Sequence, residues 1–164
     1  MAPVWADDDR IASSVGGRHG VGAKALRSGA MAAKGMVVWR SGYGPEETMN
    51  RIEDGARARG MKVFAHIDHA AIAATAGLSL DPTDLLIFGD ARAGAPLIRQ
   101  SQMVGIDLPL KALVWRDSSG ITRVAYTDVA WLAKRHSIRR DTDGTVNSLI
   151  LELASIARTA IGSP

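Results

Sequence analysis

The chain offers four histidines and no cysteine for chemistry, and two of those histidines stand three positions apart in His66-Ile67-Asp68-His69. An imidazole moves protons near neutral pH or ligates metals, and a carboxylate beside it orients the ring. In an extended strand His66 and Asp68 point to one face while His69 turns away. A three-ligand metal site drawing on His66 and His69 therefore needs a bend at Asp68, with His136 or Asp90 arriving from elsewhere. That spacing is loose, so no resident metal is expected. A structural reading competes: Asp68 caps a helix at Ala70, His66 packs half-buried and His69 bonds a carbonyl.

Lys111 is the second unusual placement, a cation near the start of the apolar run Leu108-Pro109-Leu110-Lys111-Ala112-Leu113-Val114-Trp115. Beside apolar walls an ammonium pairs with an anion, or it serves as an edge lysine that discourages sheet aggregation. Asp68 and His69 stand where a strand hands over to a short helix, so the N–H groups of Ala70 and Ala71 are expected to lie open to a carboxylate or phosphate. Lys111 would supply the countercharge. Two functional readings follow. In the first, a non-catalytic homodimeric module holds a small anionic ligand or a protein partner near Asp68, His69, Lys111 and Asp90, with no cofactor. In the second, an enzyme uses His69 as general base, oriented by Asp68 or Asp90, while Lys111 stabilises developing negative charge.

Composition narrows the classes. Hydrophobic residues are 46% and charged residues 23% of 164, with net charge +3, which suits one soluble globular domain and no membrane span. The zero cysteine count removes disulfides, thiolate nucleophiles and sulfur-ligated metals. Residues 1–35 hold five basic groups against three aspartates, leaving 15 against 14 in the remainder. A body that near to neutral, with few aromatics, does not favour nucleic acid. The densest basic stretch, residues 134–140, reads as a cation-rich helix end. Asp7, Asp8 and Asp9 stand where an export signal needs apolar residues, so the chain reads as cytoplasmic as written, and as periplasmic if Met1 precedes an already processed chain.

The elements that must position these groups are legible by period. Six glycines among residues 16–35 mark an amino-terminal arm, with one short helix conceivable at residues 23–33. From residue 36 to 164 a single domain is expected. Strands are predicted at Met36–Arg40, Lys62–Asp68 and Leu85–Phe88, and a hairpin pairs Leu110–Arg116 with Ile121–Tyr126 across Asp117-Ser118-Ser119-Gly120. Helices are predicted from Pro45, from Ala70, from Pro96 to about Met103, from Thr127 or Asp128 to His136, and from Thr142 or Asp143 onward. The expected core is Val63, Ile67, Leu86, Phe88, Leu113, Trp115, Val124, Leu149 and Leu153. The order β-α-β-β-β-β-α-α, with small crossover helices, is α+β: an antiparallel sheet with helices on one face.

Several blocks carry a resemblance. Phe64-Ala65-His66-Ile67-Asp68-His69-Ala70-Ala71, Gly77-Leu78-Ser79-Leu80-Asp81-Pro82-Thr83, Leu85-Leu86-Ile87-Phe88-Gly89, Gly94-Ala95-Pro96-Leu97, the run from Leu108 to Trp115, and Leu132-Ala133-Lys134-Arg135-His136 together resemble the domain of unknown function family 302. The resemblance spans about residues 36–160. It implies a small bacterial protein with a TATA-binding-protein-like β-α-β(4)-α arrangement, commonly dimeric and often exported, and it brings no activity. It also implies that Asp68, His69, Lys111 and His136 match positions the family keeps, which adds His136 to the candidate ligand-binding set. The chain departs with Asp90-Ala91 where Asn-Pro is usual and Ala95 where Thr is usual, which removes a hydroxyl from any contact there.

Overall fold

The computed structural model describes residues 33–139 and 144–162. Strand β1 (Met36–Arg40) leads into helix α1 (Pro45–Arg57), which opens with proline in its first turn and with Glu46 and Glu47 against the positive end of the helix dipole. Met49, Ile52 and Ala56 recur at helical spacing and are buried. Gly60, with φ of 75°, turns the chain back into β2 (Lys62–Asp68). Helix α2 (His69–Thr75), strand β3 (Thr83–Gly89) and helix α3 (Ala91–Gln100) follow. A short 3-10 turn (Gln102–Ile106) then precedes β4 (Leu110–Arg116), β5 (Thr122–Thr127), α4 (Val129–Arg135) and α5 (Thr145–Ile161).

All pairings in the five-stranded sheet are antiparallel, in the order β1-β5-β4-β3-β2. Helices α1 and α5 pack on each other and cover one face. Leu86, Phe88, Ala112, Val114 and Val124 meet Met49, Ile52, Val146, Leu149, Leu153 and Ile156 there. Tyr126 belongs to the same layer, and burial pushes its hydroxyl pKa up despite the bond from Trp39 Nε1. The α+β architecture, the strand order along the chain and the helices on one face agree with expectation.

Three local expectations are corrected. Leu113 and Trp115 are partly exposed on the face away from the helices, because β4 buries Leu110, Ala112 and Val114 instead; Ile67, paired with Leu85, lies on that same open face. The β4 run is apolar at nearly every position, so no alternation marks its covered side. Helix α3 begins at Ala91, five residues before Pro96, because Asp90 accepts the N–H of Arg92 and caps it. The arm predicted through residue 35 overlaps the body: Gly35 accepts the N–H of Asp128, and at its φ of 82° an added Cβ would collide with the Trp131 ring. Thr142, Asp143 and residues 23–32 lie outside the described residues.

The hairpin turn has a built-in brace. Asp117 Oδ1 accepts the N–H groups of Ser119 and Ile121, both at 3.0 Å, and Oδ2 accepts Arg123 Nε at 2.8 Å. The Arg123 bond, then the Ile121 bond, holds the carboxyl pKa below its ordinary value. Such a group stabilises the fold above its unfolded pKa of about 3.9, and the contribution disappears as pH falls through the lower folded value. Thermal melts should therefore place wild type above Asp117→Asn near neutrality, with the gap closing as pH falls below about 4. A gap that stays constant through the acid range would sever the turn's stability from this ionisation.

Candidate functional site

The sheet separates the candidate residues to its two ends. At the end where β2 finishes, Asp68 caps α2 by accepting the N–H of Ala71 at 2.8 Å, and His69 is the first helical residue. Of the two helix-start donors expected to await an anion, the N–H of Ala71 is thus bonded within the chain. His66 Nε2 meets Asp84 Oδ1 at 3.0 Å, which gives the imidazole a carboxylate partner from β3.

Lys111 does not join them. Its register partner is Ile87, three residues from Asp84, and Asp84 is the residue opposite Asp68. That offset is about 10 Å along the strand, with a further two strand spacings across the sheet, and alternation places Lys111 on the opposite face. Lys111 Nζ instead donates to the carbonyls of Asp107 and Pro109, each at 3.1 Å. The pairing of Lys111 with His69, on which both the anion-site and general-base expectations depended, is therefore not assembled. Among the described residues no three histidine, cysteine, aspartate or glutamate side chains gather into a metal-holding group.

Lys111 and His136 do converge, on Asp107. His136 closes α4 at its carboxyl end, and its ring, only 6% exposed, places Nε2 2.5 Å from Asp107 Oδ2. Arg135 adds a longer contact at 3.4 Å to the same carboxylate. Asp107 thus ties α4 to the segment leading into β4, through a cis peptide between Leu108 and Pro109. Asp107 was not singled out from sequence; Asp107-Leu108-Pro109 before a strand was the available signal.

This braced segment forms one wall of a cavity of about 300 Å³. Phe64, Ala93, Gly94, Ile98, Leu108 and Leu110 contribute to its lining, and Asp90 is the charged residue among its walls. The small residues of Gly94-Ala95 and Gly89 keep the space open: a Cβ on Gly94 would find only Leu108 Cδ1, at 4.0 Å. Asp90 reaches the site because β3 ends at Gly89 and α3 begins at once, and its carboxylate is engaged with the N–H of Arg92 at 3.0 Å. The site is therefore an apolar pocket at one end of the sheet, with one carboxylate in its wall.

A five-stranded antiparallel sheet with helices packed on one face defines a small α+β domain. The chain belongs to the family described as domain of unknown function DUF302, which matches residues 37–156. The crystal structure of an uncharacterised conserved DUF302 protein from Bacillus stearothermophilus is similar in fold, with a TM-score of 0.66 and 19% identity over 76% of this chain and 97% of that one. The fluoride-specific ion channel FluC 1 of Brucella suis biovar 1 (strain 1330) is 38% identical over 128 residues, which cover 78% of this chain and 50% of that protein. FluC 1 of Brucella abortus biovar 1 (strain 9-941) is likewise 38% identical over 128 residues, covering 47% of its length. The chain thus spans about half the length of the curated relatives it matches. Among the described residues no helix is long and apolar enough to cross a membrane.

Proposed function

We propose that this chain is a non-catalytic homodimeric module whose pocket beside Asp90 receives an apolar segment of a protein partner. The observation that carries this reading is the pocket itself: an apolar cavity of about 300 Å³ whose one charged lining residue is already bonded to the helix it caps. Apolar walls favour an apolar occupant, and a carboxylate there disfavours a free anion. The shift from a small anionic ligand to a partner segment follows from Lys111 being bonded to two carbonyls away from Asp68 and His69. The Brucella relatives supply a direction for the partner. Their matched part is about half of a protein named as a fluoride-specific ion channel, which supports an accessory role beside a membrane transport protein.

The second copy is placed on the open face of the sheet. Ile67, Leu85, Ile87, Leu113 and Trp115 line that face, all partly exposed, on the side away from α1 and α5. Partly exposed apolar side chains of this kind, with Lys111 beside them on the same face, are stabilised by burial against a second copy.

Overlapping synthetic peptides from the half of the Brucella suis protein that this chain does not match provide the probe. At least one should raise the melting temperature of the wild type by roughly 2–5 °C at saturating concentration, and Gly94→Phe, which fills the cavity, should abolish that shift. In sedimentation equilibrium the chain should run at twice 17.4 kDa, and Leu113→Glu should return it to the monomer mass. A wild type that is monomeric at tens of micromolar overturns the dimer, and a peptide set that shifts no melt overturns the partner pocket.

A further inference from the structure

At the opposite end of the sheet a second cavity, of about 440 Å³, opens between the first turns of α1 and the helix-side face of β2, β3 and β4. Its chemistry differs from that of the apolar pocket. Glu46 and Asn50 of α1 stand along one side, and His66, Asp68, Asp84 and Arg116 project from three neighbouring strands. Register explains the grouping. Asp68 and Asp84 are direct cross-strand partners, His66 lies diagonally across from Asp84, and Arg116, held by its own N–H on the Pro82 carbonyl, extends the row on β4. Like charges placed directly opposite disfavour the sheet, and the His66 bond relieves only Asp84. Asp68 retains one oxygen beyond that bonded to Ala71.

The arrangement of opposite charge is informative. Arg116 and Glu46 line one cavity, and neither side chain makes a hydrogen bond or ion pair among the described residues. The cavity is thus lined by one guanidinium, on the strand beside Asp84, together with the carboxylates of Asp68 and Asp84, and Glu46 lines it from α1. A planar guanidinium is suited to bidentate contact with a carboxylate, while Asp68 and Asp84 present acceptor oxygens to an ammonium.

We propose that this cavity binds a small zwitterion, a free α-amino acid, with its carboxylate on Arg116 and its ammonium between Asp68 and Asp84. His66 fixes the orientation of Asp84 and is a positioning residue. The site shares no lining residue with the pocket beside Asp90 and does not depend on the partner reading.

The test is a heteronuclear NMR titration of the intact chain with each of the twenty L-amino acids, together with a matched amine lacking the carboxylate and a matched acid lacking the ammonium. At least one amino acid should bind at millimolar or tighter, moving the amides of residues 66–69, 84 and 116, with amine and acid at least tenfold weaker. Arg116→Gln should weaken the best amino acid at least tenfold while leaving the spectrum dispersed, because this side chain is exposed and makes no internal bond. Asp84→Asn keeps an acceptor oxygen for His66 and should also lose at least tenfold. Gly94→Phe should change nothing. No response to any amino acid, equal binding of the bare amine, or unchanged affinity in a folded Arg116→Gln overturns the assignment.

Discussion

Phe88→Ala is expected to lower the stability of the fold by about 3–5 kcal/mol. Phe88 is 0% exposed, and it sits on β3 with Val63 and Leu110 as register partners on either side. Truncation removes the buried ring and leaves a void bounded by strand backbone that is hydrogen-bonded on both edges and cannot close in. The next residue, Gly89, and the neighbour Leu110 both line the cavity beside Asp90, so the new void adjoins space that already exists. Cavity cost grows with the volume left unfilled, which places this site toward the upper part of the range. Urea denaturation should show a lower midpoint with an unchanged slope, and Phe88→Leu should restore more than half the loss. A loss under about 1.5 kcal/mol would show that the walls collapse onto the gap.

How much of this was legible before the structure differs between elements, for physical reasons. Strands Met36–Arg40 and Lys62–Asp68 and the hairpin around Asp117–Gly120 were readable to the residue or nearly so, because their ends are marked by local chemistry: Gly60, the Asp68 cap and Gly120 at φ 76°. The covered face of β4 was not. Leu110, Ala112 and Val114 are chemically indistinguishable from Leu113 and Trp115 at period two, and only the placement of α1 and α5 decides between them.

The candidate residues divide in the same way. Asp68 as a helix cap follows from sequence-local rules, and it caps as those rules predict; the Asp90 cap obeys the same rule but was hidden behind Pro96, which also reads as a helix start. The convergence of Lys111 and His136 on Asp107 joins residues 29 positions apart, and the His66–Asp84 pair joins residues 18 apart. Neither distance carries a period or a motif. Strand register sets the second pair, and the docking of α4 against the start of β4 sets the first. Tertiary contacts of this kind leave no imprint on a single sequence, which is why Lys111 and His69 looked like partners when Lys111 is bonded to the carbonyls of Asp107 and Pro109 at the other end of the sheet.

The Asp107 brace carries the second large expectation. Asp107→Ala should destabilise the chain by about 1–3 kcal/mol and should weaken occupancy of the apolar pocket as well. The His136 ring is 6% exposed, and the Asp107 carboxylate is its recorded partner. Removing that acceptor leaves a buried polar group unsatisfied, which costs more than the bond itself contributed. The Arg135 contact adds little, because that side chain is half exposed and solvent screens the pair. Lys111 bonds to main-chain carbonyls of Asp107 and Pro109, so its contacts survive only while the segment keeps its place. Leu108 and Pro109 within that segment are pocket walls. A double-mutant cycle separates brace from bystander: the losses for Asp107→Ala and His136→Ala should fall well short of adding, with a coupling of about 0.5–3 kcal/mol. Asp107→Asn keeps an oxygen for the ring and should recover most of the stability. Lys111→Ala should then loosen the same wall, lowering peptide affinity for the pocket while leaving the opposite cavity untouched; strictly additive losses at Asp107 and His136 would dissolve the brace and return Lys111 to an independent role.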